Sequence, residues 1–432
     1  MNPPTSRPPW WKSIGPALIT ACVVFGPGSL VINANIGATY GYELLWLLLL
    51  AGVLMGTYTT MSARIGVTTG ASHFGTLRKE TSRPFAMVLD LVLCLTCGSF
   101  QFSNNLAVAL VAGAFAPDGY VLTAQIGGMA LLNLILAIIM FRGGQVYLAL
   151  ERVVKVMVGI VLCSFTINLI LSRPNLLDIL KGGVPHIPEN LSLGIPGIVD
   201  GIISDPLVLI ASLFGTTFSV AGAFFQGNLV REKGWTREDY DRGVGDAVAG
   251  IGVLTLISAI IMITGGTVIL GKPADSLASL AGTLQPLLGT MAFTIFCIGL
   301  FPVALNPFLI NAMIGGTALA DGLGLPGKFS DFWPRVFTVV VLLSGFSMAS
   351  LGLWKQVPPV NLMIFGQAMT VIGNPLMAGT LLWLANRESL MGARRNRIAA
   401  NVLGGAGLLV VLLLAVRMLW FLYLRISLLM AG

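Results

Sequence analysis

The sequence predicts an all-α polytopic membrane protein with about eleven transmembrane helices. Three observations carry this. Of 432 residues, 56% are hydrophobic and 10% charged, with mean hydropathy +0.88, whereas a soluble chain carries roughly 25% charged residues. The apolar residues gather into runs of the ~20 residues that a membrane-crossing helix needs. Loop cations cluster in alternate loops, so the net charge of +7 reads as lysine and arginine held on one membrane face rather than as a nucleic-acid surface.

Taken in order, the spans fall near 14–38, 43–65, 85–114, 121–141, 148–172, 201–229, 245–270, 282–316, 333–353, 359–385 and 399–427. Met1 to Lys12 is polar and proline-rich and lacks the short apolar run and small-residue cleavage site of a signal peptide. The first span carries Gly26-Pro27-Gly28-Ser29 at its centre. Proline removes an amide donor and glycine loosens the backbone, so the helix breaks there. Hydrocarbon tolerates such a break only where the backbone is buried in protein or lines a polar cavity. The choice is between a proline kink without a ligand and the discontinuous helix of a transport site.

The cations Arg64, Arg78, Lys79 and Arg83 follow the second span, Arg142 and Arg152 flank the turn into the fifth, and Arg231, Lys233, Arg237 and Arg242 follow the sixth. These and the later clusters share one face, which places the N-terminus in the cytoplasm and the C-terminus outside a cytoplasmic membrane. Arg173 to Asp200 reads as a structured outer loop, and Arg231 to Asp246 as a short amphipathic helix. In the sixth span Gly215, Thr216, Thr217, Ser219, Ala221 and Gly222 form a central cluster of small and hydroxylated residues, where a helix unwinds or a neighbour packs closely. Interruptions at corresponding positions of the two halves are the sequence mark of a transport site, and the first and sixth spans correspond if five spans repeat with inverted topology.

Among the remaining polar residues, Cys94 and Cys97 have the spacing of a redox pair but sit in an apolar span without a nearby histidine, so they read as packing residues. His73 and His186 fall in expected loops. Asp90 reads as a helix-end residue near the cytoplasmic surface, with proton relay as its alternative. Glu151 reads as an interfacial ion pair, and Asp246 as the start of the seventh helix. Gln101, Asn104 and Asn105 line a polar path or hydrogen-bond between helices, as do Asn306 and Asn311. No nucleotide-binding glycine loop is present, and two loop histidines support no hydrolytic triad or zinc motif, so an enzyme is not expected and no cofactor is implied.

Several stretches together resemble the natural resistance-associated macrophage protein (NRAMP) family of divalent-metal transporters. They are Gly15-Pro16-Ala17, the run at 41–46, Met61 to Gly70, Leu150-Glu151, Phe214 to Thr217, Asn228 to Arg231, Asp246, Gln367, Asn374-Pro375 and Met391-Gly392. The resemblance implies a leucine-transporter-like fold over the single domain 1–432. It implies inverted repeats at 14–172 and 201–385, an extra helix at 399–427, and a transported solute between the broken first and sixth helices. It places that solute at Gly26, Ser29, Ser219, Ala221, Gly222 and Gln367.

The departures bear on the cargo. Where the family has Asp-Pro-Gly-Asn this chain has Gly26-Pro27-Gly28-Ser29, and the family's Met-Pro-His falls on Ser219, Val220 and Ala221. The carboxylate and soft donors that hold a dehydrated transition metal are missing, so the metal ligands stay unassigned. Two cargoes remain open: a partly hydrated magnesium-like cation, or a small organic or anionic solute set against the free amides of a half-helix. A non-transporting receptor is the third reading. Membrane lipid is the other expected partner.

Overall fold

Residues 26–142, 159, 163–199, 202–232, 240–272, 274–328 and 330–431 are described by a computed structural model of the chain. Nine helical segments among them are long and apolar enough to cross a membrane. With Pro27–Tyr40 and Cys163–Ser172, the described parts of the first and fifth spans, they follow the expected order. Residues 14–25 and 148–158, which the sequence assigns to these two spans, lie outside the described residues, and Glu151 with them. The remaining spans are Leu45–Thr69, Arg83–Ala114, Val121–Arg142, the pair Val208–Thr217 and Val220–Glu232, Tyr240–Val268, the apolar stretch Ala278–Cys297 that runs into the helix Ala292–Gly322, Phe332–Trp354, Pro359–Asn386 and Ile398–Ala431.

The helices pack in two groups. The first, second, sixth and seventh spans lie together, and so do the third, fourth, eighth and ninth. The tenth touches both, through the third span and the first half of the sixth, Val208–Thr217. From Pro27 to Ala38 the first span is buried on every side, as suits a largely apolar helix at the centre of a bundle, with Ser29, Asn33 and Asn35 its only polar side chains there. Small residues let it approach the seventh closely. Gly37 faces the carbonyl of Met262, and Gly265 faces the backbone of Ala34. A methyl at Gly37 would meet backbone, which cannot swing aside as a side chain can. Gly37→Ala should therefore destabilise the protein by about 1–3 kcal/mol. Gly56→Ala, in open surroundings, should raise stability by up to about 1 kcal/mol. Thermal melts of the two variants check this.

Several expectations need correction. The sequence places the eighth span over 282–316, but its long helix runs Ala292–Gly322. The stretch before it is broken into short turns around Gly289, where φ is +52°. The sixth span begins at Val208 instead of 201, because Gly197–Val199 and Ile202–Ser204 pair as an antiparallel hairpin. The Asp200-Gly201 pair between them is a sequence that two-residue hairpin loops favour. The expected outer loop also holds a short helix, Leu176–Gly182, and Trp46 Nε1 fixes the following stretch by donating to the His186 carbonyl at 2.9 Å. Of the amphipathic helix expected over 231–246, residues 233–239 lie outside the described residues, and the rest belongs to the helices Val220–Glu232 and Tyr240–Val268. Tyr240 already belongs to the seventh helix, so Asp246 lies inside that helix rather than at its start.

His73 is not in a loop. It opens the helix His73–Glu80, capped by Ser72, and is fully buried. Its Nε2 meets Ser62 Oγ at 2.8 Å, and its ring packs on Phe224 of the sixth span. Asp90 is likewise not a surface helix end: it lies within Arg83–Ala114 and is 1% exposed.

Candidate functional site

Gly26 has extended backbone (φ −114°, ψ 171°), and the helix starts at Pro27, whose missing N–H costs nothing at a first helical position. Ser29 follows, 2% exposed, and its hydroxyl shares a hydrogen bond of 2.5 Å with Thr216 of the sixth span. One turn on, Asn33 donates from Nδ2 to the Ser29 carbonyl at 2.7 Å, while its Oδ1 has no partner. Positions 29 and 33 share a helix face, so Asn33 continues the surface that Ser29 begins.

The sixth span parts where its small residues gather. Its first half ends at Thr217, with Phe218 N–H bonding back to the Phe214 carbonyl at 3.0 Å. The second half starts at Val220. Ser219 caps it: its Oγ accepts from Gly222 N–H at 3.3 Å and its carbonyl from Ala223 N–H at 3.1 Å. The carbonyls at the end of the first half leave the helical ladder. That of Phe218 accepts from Asn374 Nδ2 at 3.4 Å. Asn374 follows a short 3-10 turn, Thr370–Gly373, in the tenth span, so a second irregularity supports the first.

Gln367 lies against both the first and the sixth span. Its amide packs on Gly28, and its backbone carbonyl lies against Gly215. Either glycine given a methyl would overlap it. Gln367 is 2% exposed and its Oε1 has no partner, as is true of Thr217 Oγ1. Gly26 faces the third and eighth spans: a methyl there would lie 3.4 Å from Pro307 and 3.8 Å from Asn104 Oδ1.

Of the six residues taken from the sequence, Ser29 and Gln367 approach the break directly, Ser219 caps the second half of the sixth span, and Gly26 borders the break through Asn104 and Pro307. Ala221 is buried at 2% exposure. Gly222 is turned to the second span, where a methyl would meet Met55 at 3.6 Å. Sequence reasoning gave no site role to Thr216, Asn33 or Asn374. Thr216 and Asn33 were within reach, since one lies in the small-residue cluster and the other one turn beyond Ser29. Asn374 needed the fold.

The third-span amides hydrogen-bond between helices. Gln101 donates to the Phe308 carbonyl, and Asn133 of the fourth span donates to Asn105 Oδ1 at 2.7 Å. Cys97 packs against Gly315, in keeping with a packing role. Among the described residues no group of three or more His, Cys, Asp or Glu side chains could hold a metal ion. The break is lined by hydroxyls, amides and backbone.

A helical bundle whose sixth crossing parts at mid-span, against a first crossing that begins beside it, defines a membrane protein of the leucine-transporter-like class. The crystal structure of a mutant of the Eremococcus coleocola manganese transporter superposes with a TM-score of 0.74 at 17% identity, covering 99% of this chain and 94% of that one. Mhp1, a nucleobase-cation-symport-1 family transporter, superposes at 0.58 and 13%, covering 95% and 92%. The sequence pattern of the natural resistance-associated macrophage protein-like family matches residues 17–421. The chain belongs to that family. Its relatives include the divalent metal cation transporters MntH of Deinococcus radiodurans (26% identical; 94% of this chain, 89% of the relative) and Acidiphilium cryptum (27%; 93% and 90%).

Proposed function

We propose that this chain is a secondary transporter that carries a divalent cation, partly hydrated and magnesium-like, by alternating access. Family membership and the divalent-metal relatives support the cation. One observation carries the site: buried oxygens without partners, Gln367 Oε1, Asn33 Oδ1 and Thr217 Oγ1, beside the parted sixth span. Hard neutral oxygens suit a hard cation that keeps several waters, and they do not suit a dehydrated soft metal. The packing supports the rocking motion. Each helix group pairs spans five apart, first with sixth and second with seventh, third with eighth and fourth with ninth. Two inverted repeats, 14–172 and 201–385, would produce that pairing, and one group would then move against the other around a fixed site. The cation-rich loops support an N-terminus in the cytoplasm and a C-terminus outside the cell membrane.

The absence of a carboxylate cluster among the described residues favours a second reading, a small organic solute recognised by the same amides and hydroxyls. Proteoliposomes loaded with a magnesium-sensitive dye separate the two. External Mg²⁺ should enter. Gln367→Ala should slow entry about tenfold, the ~1.4 kcal/mol expected for one buried hydrogen-bonding group. Neither flux nor thermal stabilisation by Mg²⁺ or Mn²⁺ would overturn the cation reading. A melting-temperature rise with an amino acid or carboxylate would support the organic one.

A further inference from the structure

The end of the tenth span gathers more positive charge than the bundle itself uses. A groove of about 530 Å³ runs along it, lined by Gly379, Leu382, Trp383, Asn386, Arg387 and Glu388. Positions 379, 382, 383, 386 and 387 recur as one face of a helix does, and the chemistry changes along that face. Gly379 and Leu382 form an apolar end, and Asn386 and Arg387 a polar end about two turns on. Gly379 leaves a notch: a methyl there would meet only Leu408 of the eleventh helix, at 4.0 Å. Trp383 stands between the two ends, 37% exposed, with the Arg387 guanidinium over its ring at 4.9 Å. A tryptophan at such a boundary marks the level of lipid headgroups.

Five arginines are held at this corner: Arg64, Arg387, Arg394, Arg395 and Arg397. Asparagines fix their relative positions. Asn386 and Asn401 exchange hydrogen bonds of 2.8 and 2.9 Å. Asn396 donates to Asn401 Oδ1 at 2.9 Å and accepts from Arg64 of the second span. Among the described residues two carboxylates answer these cations. Glu80 accepts from Arg387 Nε at 3.0 Å, and Glu388, 80% exposed at the rim, lies 3.4 Å from Arg395. The Nη groups of Arg387 make no hydrogen bond among the described residues, and Arg394 Nη1 is buried without an acceptor. Guanidinium donors left over beside an apolar groove call for an anion with an apolar body.

We propose that this groove holds an anionic phospholipid of the leaflet on the cation-rich side. An acyl chain lies along Gly379 and Leu382, and the phosphate accepts from the Nη groups of Arg387 at the level of Trp383. The guanidinium fork matches two phosphate oxygens, and a basic pocket between membrane helices suits an anionic headgroup. A free phosphate would satisfy the arginine but leave the apolar half of the groove uncovered. Seated there, the lipid braces the corner where the second, tenth and eleventh spans meet.

Native mass spectrometry of the detergent-solubilised full chain tests this, with phosphatidylglycerol set against phosphatidylcholine of the same acyl chains. Phosphatidylglycerol should be retained several times more strongly. Arg387→Gln should weaken its retention about fivefold. Gly379→Leu should weaken it by a similar factor with no change of charge, because the side chain fills the notch. Leucine is also the better helix former, so this variant keeps the fold. Lys328→Gln, which removes an exposed cation from the loop after the eighth span, should leave retention unchanged. Equal retention of the two lipids, equal loss from Lys328→Gln, or displacement of the lipid by soluble glycerol phosphate at matched concentration would overturn the proposal. So would a lipid-free dimer that Gly379→Leu breaks, since a second copy would then occupy the groove. No cargo is present, so each result leaves the cation reading to its own flux assay.

Discussion

Gly26→Asp should raise the affinity of this protein for Mn²⁺ by about 100-fold or more, a gain of ~2.7 kcal/mol. The position is the one where the family has the aspartate of its first-helix motif. The backbone there is extended with negative φ, so a side chain brings no strain. Its first carbon would meet Pro307 at 3.4 Å and Asn104 Oδ1 at 3.8 Å, which is ordinary contact. The carboxylate supplies the fixed negative charge that a divalent ion requires in a low-dielectric interior, which neutral oxygens do not. Gly26→Ala adds the carbon without the charge and is the control. Melting temperature against Mn²⁺ concentration reads the result. Equal stabilisation of the two variants would mean that charge at this position does not limit metal binding.

Arg417→Met should destabilise the protein by about 3–5 kcal/mol. Asp205 stands just ahead of the outer half of the sixth span with its side chain fully buried. Its Oδ1 accepts from Leu207 N–H at 2.9 Å and from Arg417 Nε at 2.7 Å, and Arg417 also donates to the Gly194 carbonyl at 2.5 Å. Beside them Trp420 Nε1 donates to the Pro196 carbonyl at 3.1 Å. The eleventh helix thus pins the stretch from Gly194 to Asp205 and with it the start of the parted sixth span. Losing the cation strands a buried charge, which costs far more than the pair contributes net. Arg417→Met with Asp205→Asn should recover most of the loss, because the amide keeps the Leu207 contact without the charge. A single variant that loses less than ~1 kcal/mol would place this pair with ordinary surface ion pairs. Chemical or thermal unfolding of the two variants makes the comparison.

Local chemistry made the bundle and its breaks legible in the chain. Pro27 marks where the described helix of the first span starts, and the small residues around Gly215 and Ser219 mark where the sixth span parts. Arg417 was not legible, since it sits in a long apolar run and its partner is more than two hundred residues away. His73 and Asp90 were misplaced for a related reason. Polarity near a span end suggests the surface, but the helix His73–Glu80 and the end of the eighth span fold over them and bury both. The hairpin at Gly197–Ser204 was hidden because its apolar strands run into the sixth span without a change in composition. Ser29 was legible as a candidate from its motif, whereas its hydrogen bond to Thr216 required knowing which face of the sixth span turns inward.

In the proposed mechanism the solute sits where the parted sixth span meets Ser29, at a site that opens to each side of the membrane in turn. The most direct measurement places one cysteine at Ser29→Cys in a cysteine-free background in proteoliposomes and follows its modification by a membrane-impermeant thiol reagent. Ser29 is 2% exposed in the state described, so labelling requires opening. The account predicts modification by reagent added on either side, slowed from both sides by Mg²⁺. Labelling from neither side, or from one side only and indifferent to the ion, would contradict it.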